Sequence, residues 1–110
     1  MNKESIFLDY TGDNPRMRIL QYLIEGREFD YTLTDMLNAG VSWRTLNILV
    51  PKLLGLGIIV KTRKIGRATL YKINKDNILA KQLIVLYDTL IFKSLNKLEM
   101  HKDNKIEIKV

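Results

Sequence analysis

The chain has 110 residues, 46% of them hydrophobic, with 18 basic and 12 acidic side chains and a net charge of +6. That size sets a single domain, residues 1–110, with enough apolar material for a core. With no cysteine and one histidine, disulfides and thiolate metal sites are excluded. No run approaches the ~18 apolar residues of a membrane span, and no signal-peptide pattern opens the chain. The expectation is a soluble cytoplasmic protein with no metal, no cofactor and no membrane contact.

Residues 1–12 are ambiguous, with Ile6-Phe7-Leu8 reading as a short strand or a strap over the core. Asp13-Asn14-Pro15 then opens a helix, a capping side chain followed by proline at the first helical position. Met17, Ile19, Leu20, Leu23 and Ile24 give that helix its apolar face, and Gly26 stops it. Phe29-Asp30-Tyr31 is short and β-prone and predicts a brief strand. Thr32 caps the next helix, with Asp35 three residues on as an acidic variant of the capping box. Asn38-Ala39-Gly40 ends it, glycine suiting the left-handed stop that a Cβ disfavours.

Ser42 caps a second helix from Trp43 to about Leu56. Leu46, Leu49, Leu53 and Leu56 recur at helical steps and are assigned to the core. Arg44, Ile48 and Pro51 lie opposite, flanked by Thr45, Asn47 and Lys52. Pro51 lacks an N–H and crowds the carbonyl of Asn47, so a local bend is expected on the outward side. Two short helices joined by a tight turn are the arrangement that places a second helix in the major groove of DNA. Two β-prone runs follow, Ile58 to Arg63 and Ala68 to Ile73, with the basic turn Lys64-Ile65-Gly66-Arg67 between them. Alternation along the first run puts Lys61 and Arg63 on one face. The last helix is expected from about Asn77 to Met100. It carries one stripe of Leu79, Leu83, Leu86 and Leu90 and a second of Ala80, Ile84, Tyr87, Ile91, Leu95 and Leu98. Two stripes imply two packing partners, the chain's own core and a second copy. Residues 101–110 form a tail, either a strand or a frayed end.

Charge is unevenly spread. From Met36 to Lys75 there is no acidic residue, while Arg44, Lys52, Lys61, Arg63, Lys64, Arg67, Lys72 and Lys75 all fall there. The rest of the chain is slightly acidic. Solvated charged faces usually mix signs, so forty residues of one sign point to a polyanion. Ser42, Trp43, Arg44, Thr45, Asn47, Lys52, Lys61, Arg63, Lys64 and Arg67 are the candidate DNA-contacting residues, with Arg44 best placed for a guanine or phosphate edge. Ile84, Tyr87, Ile91, Leu95 and Leu98 are the candidate dimer seam. His101 has no neighbours at ligand spacing, and the scattered carboxylates form no acid–base constellation, so no enzymatic activity is expected.

Gly40-Val41-Ser42-Trp43-Arg44-Thr45-Leu46, Pro51-Lys52-Leu53 with Gly55-Leu56-Gly57-Ile58, and Thr62-Arg63-Lys64-Ile65-Gly66-Arg67-Ala68-Thr69-Leu70-Tyr71 together resemble archaeal winged helix-turn-helix regulators of the ArsR/MarR-like type. The resemblance spans about residues 14–77. It implies an α+β, mainly α fold with a two-stranded wing over residues 14–76 and a C-terminal dimerisation helix over residues 77–100. It also implies binding of double-stranded DNA as a homodimeric transcriptional regulator. Ile48 departs from the pattern, because such helices often present a polar or basic residue there. Two other roles fit the same residues: a DNA-coating architectural or partition protein, and a winged helix used to bind proteins.

Overall fold

The computed structural model describes residues 5–108, with side chains described through residue 96. Among them the fold is α+β and mainly helical, five α-helices and one two-stranded antiparallel sheet. The order is α1 (Ile6–Thr11), α2 (Pro15–Glu25), α3 (Leu33–Met36) running into a 3-10 turn (Leu37–Ala39), α4 (Trp43–Gly55), β1 (Ile59–Ile65), β2 (Ala68–Ile73) and α5 (Ile78–Ile108).

The helix starts follow from local side chains. Asn14 accepts a hydrogen bond from the Met17 amide at 2.9 Å, and Pro15 opens α2. Thr32 and Asp35 form a reciprocal capping box, at 3.0 and 2.9 Å. Ser42 accepts from the Thr45 amide at 3.0 Å and so satisfies one orphan donor at the start of α4. Gly40 sits at φ 85°, the left-handed conformation that turns the chain from the 3-10 turn toward α4.

The core gathers one face from every helix and the base of the hairpin. Phe7 and Leu8 of α1, Ile19, Leu20, Leu23 and Ile24 of α2, and Met36 of α3 are buried in it. So are Leu46, Val50 and Leu53 of α4, Ile59 and Ile73 of the sheet, and Ala80 and Leu90 of α5. Pro51 lies inside α4 without breaking it.

Several expectations are corrected. Residues 6–11 are a helix, not a strand, because the Ser5 hydroxyl caps it and Phe7 and Leu8 dock into the core. Phe29-Asp30-Tyr31 forms no strand, only a single bridge in which Tyr31 and Tyr71 exchange two backbone hydrogen bonds of 2.8 Å. The buried stripe of α4 runs Leu46, Val50, Leu53. Leu56 is 55% exposed, because it follows the last helical residue, where the chain turns away. β1 extends to Ile65, so the turn shrinks to Gly66-Arg67, with Gly66 at φ 65° as a tight hairpin turn with glycine first requires. The last helix starts at Ile78, capped by Asn77, whose side-chain oxygen accepts from the Leu79 and Ala80 amides. It continues through Ile108, so the strand reading of the tail fails up to that residue; no glycine or proline interrupts the sequence there. Lys109 and Val110 lie outside the described residues.

Candidate nucleic-acid interface

The acid-free stretch folds as one continuous unit, α4 followed directly by the hairpin. Seven of its eight basic residues divide into two groups; the eighth, Lys72, is half-buried and forms no ion pair among the described residues. Arg44 and Lys52 on α4, and Lys61, Lys64 and Arg67 on the hairpin, are exposed and form no ion pair among the described residues. Arg63 and Lys75 instead meet acids from the segment before α3. The Arg63 guanidinium grips Asp30 with two bonds, at 2.9 and 3.0 Å, and the Thr62 hydroxyl donates to the same carboxylate. Those bonds, the Arg63 pair foremost, pull the Asp30 pKa down to about 2. Lys75 reaches Glu28 at 3.2 Å. A segment without acids in sequence is therefore partly neutralised in space.

The hairpin register explains the Arg63 contact. Lys61 pairs with Tyr71, but Arg63 pairs with Leu70, so Thr62 is an extra residue in β1. A bulge of this kind reverses the side-chain parity beyond it. Tyr71 and Leu70 are consecutive and point to opposite faces, so Lys61 and Arg63 do too. The expectation of a shared face is overturned, and Lys61 shares its side with Lys64 instead.

At the start of α4, the Ser42 hydroxyl is committed to Thr45, accepting from its amide and donating to its hydroxyl at 2.9 Å. Trp43 is 51% exposed and lines a hollow of about 250 Å3 with Thr32, Thr34, Thr69 and Arg67, so the helix start and the hairpin tip converge on one place. The Asn47 side-chain nitrogen donates to the Trp43 carbonyl at 2.8 Å. Bidentate reading of adenine needs both ends of that amide, so Asn47 is not poised for it. Beside Thr45 and Ile48 a second hollow, of about 320 Å3, is walled on its far side by Asn14, Pro15 and Arg16. Arg16 is exposed and unpaired among the described residues. It lies outside the acid-free stretch, so only the fold brings it beside α4.

The proposed seam on α5 is split. Ile84 and Tyr87 pack against the chain's own core. Tyr87 stands edge-on to Phe7, with ring centroids 5.6 Å apart, and donates to Glu25 at 3.1 Å; burial, then the Glu25 charge, pushes its pKa up to about 12. Ile91 is half-buried, Leu95 is 58% exposed, and the Leu98 side chain lies outside the described residues. One turn before Leu95 the exposed Phe92 lines a hollow of about 660 Å3 with Ile6 and Tyr10 of α1 and Leu90. Reading Ile6-Phe7-Leu8 as a short strand or a strap over the core hid the part α1 plays in this surface.

Among the described residues, no three His, Asp or Glu side chains gather as a metal site, and no helix is long and apolar enough to cross a membrane. Compared with known proteins, the chain matches no family model, no curated protein and no solved structure.

Proposed function

We propose that this is a winged helix protein that binds double-stranded DNA as a homodimer and acts as a transcriptional regulator. In this reading α3 and α4 are the helix-turn-helix, β1 and β2 the wing, and the outward face of α4 enters the major groove. One observation carries it: Arg44, Lys52, Lys61, Lys64 and Arg67 project from a single continuous unit with no acid paired to any of them among the described residues. Unpaired cations of one sign along a helix and an adjoining hairpin create a field that attracts a polyanion. Arg44, near the helix start, is the base-reading candidate, and the hairpin cations are phosphate contacts. The exposed Phe92 and Leu95, with Tyr10 nearby, supply the apolar surface for pairing of two copies.

A titration of a labelled random-sequence duplex, followed by footprinting on the DNA upstream of the protein's own gene, tests the reading. Saturable binding with a bounded footprint supports a regulator. Continuous protection along the fragment replaces it with a DNA-coating role, and absence of binding at low salt overturns both.

A further inference from the structure

Ile48 is 50% exposed at the middle of the outward face of α4, and it is not among the side chains packed against the core. One helical step before it stands Arg44 and one step after it Lys52, both on the same face. Arg16 rises across the adjoining hollow. None of the three cations has an acidic partner among the described residues. An aliphatic tip is thus ringed by charges, of which Arg16 and Lys52 would seat on phosphates and Arg44 on a base edge. That ring distinguishes Ile48 from the scattered surface hydrophobes found on any protein.

We propose that Ile48 is a specificity-determining residue that reads the 5-methyl group of thymine in the major groove. This deepens the DNA-binding reading and rests on it. An isoleucine side chain can neither donate nor accept a hydrogen bond, so it gains nothing from the polar edges of guanine, adenine or cytosine. The thymine methyl is the one apolar group that the four bases present in that groove. Phosphate contacts from Arg16 on one side of the tip and from Lys52 on the other would press it toward the groove floor. Such contacts position the protein, and base contacts specify. The residue that departs from the polar pattern of such helices then selects the one base with an apolar edge.

The test uses duplexes that the full-length protein enriches from a random-sequence pool, resynthesised with deoxyuridine at every thymidine. Uracil keeps every hydrogen-bonding group of thymine and lacks only the methyl. Burying one methyl is worth about a fourfold change in affinity, so the wild type should weaken by about fourfold per half-site. Ile48→Ala should bind both duplexes alike, and Ile48→Val, which keeps a branched tip, should retain most of the discrimination. Because Ile48 is exposed, the thermal midpoints of the variants should match the wild type. Equal wild-type affinity for the two duplexes overturns the proposal and leaves DNA binding intact. A loss of the same size in wild type and Ile48→Ala also overturns it, assigning the methyl to another residue or to DNA shape. If the pool does not enrich, sequence-specific binding fails and the proposal falls with it.

Discussion

Removal of Lys64 should flatten the salt dependence of DNA binding by a calculable amount. On each protomer the hairpin offers Lys61, Lys64 and Arg67, exposed and without ion pairs among the described residues. If each neutralises one phosphate, the two hairpins of a dimer neutralise about six and contribute about −5 to the slope of log K against log salt. Between about 50 and 200 mM salt that is a loss of about three orders of magnitude. Lys64→Ala removes two contacts per dimer, so the hairpins' share of the slope should change to about −3.6 and their part of the loss should shrink to about two orders. Lys75→Ala is the internal control, because its ammonium is already held by Glu28 and should release no counterion on binding. Fluorescence anisotropy of a labelled duplex across that salt range measures both. A slope for Lys64→Ala equal to the wild type would refute the assignment of the hairpin to phosphates. So would equal flattening by Lys75→Ala, since the division into paired and unpaired cations would then carry no information.

Arg44→Ala should relax discrimination between sequences by about 1–3 kcal/mol, read by competition between enriched and scrambled duplexes; a uniform loss on both would reassign Arg44 to the backbone. Leu46→Ala, at a fully buried position, should destabilise the fold by about 2–5 kcal/mol, whereas Leu56→Ala should cost under about 0.5 kcal/mol, both by chemical denaturation. The Asp30 carboxyl lies at about 2 in the folded chain, below the value near 4 of an unfolded one. Its stabilisation is therefore complete above that value and lost as pH falls toward 2; the gap in thermal midpoint between wild type and Asp30→Asn should close over that window, and a constant gap would count against the pair. Phe92→Glu should shift sedimentation from dimer to monomer, and a wild type that is monomeric at tens of micromolar would remove the homodimer from the proposal.

What could be read in advance was local. The caps at Asn14, Thr32 and Ser42 were legible because each bonds an amide three residues away. The tight turn at Gly40 and the hairpin at Gly66 were legible because only certain residues tolerate those backbones. What escaped depends on partners far along the chain. Residues 6–11 form a helix because α1 docks against α2 and α5, and a six-residue segment has little helical preference of its own. Asp30 and Arg63 are 33 residues apart, so nothing in the acid-free run warned that one of its cations was already matched. The bulge at Thr62, which turns Arg63 toward that acid, has no glycine to announce it. Arg16 joins the candidate surface only because α2 lies beside α4.

The bridge between Tyr31 and Tyr71 closes a loop that contains α3, α4, β1 and the hairpin tip. Asp30, the residue just before the bridge, anchors the hairpin arm through Arg63. Two adjacent positions, 30 and 31, thereby hinge the arm that carries the tip cations to the body that carries α4. In the DNA-binding reading proposed above, the angle between helix and tip would govern whether both can touch one duplex at once, and positions 30 and 31 would help set it from behind without meeting DNA. Variation there would retune the spacing of contacts while leaving every contacting side chain unchanged. In a lineage of such proteins, that offers a route to new targets without a change on the binding face.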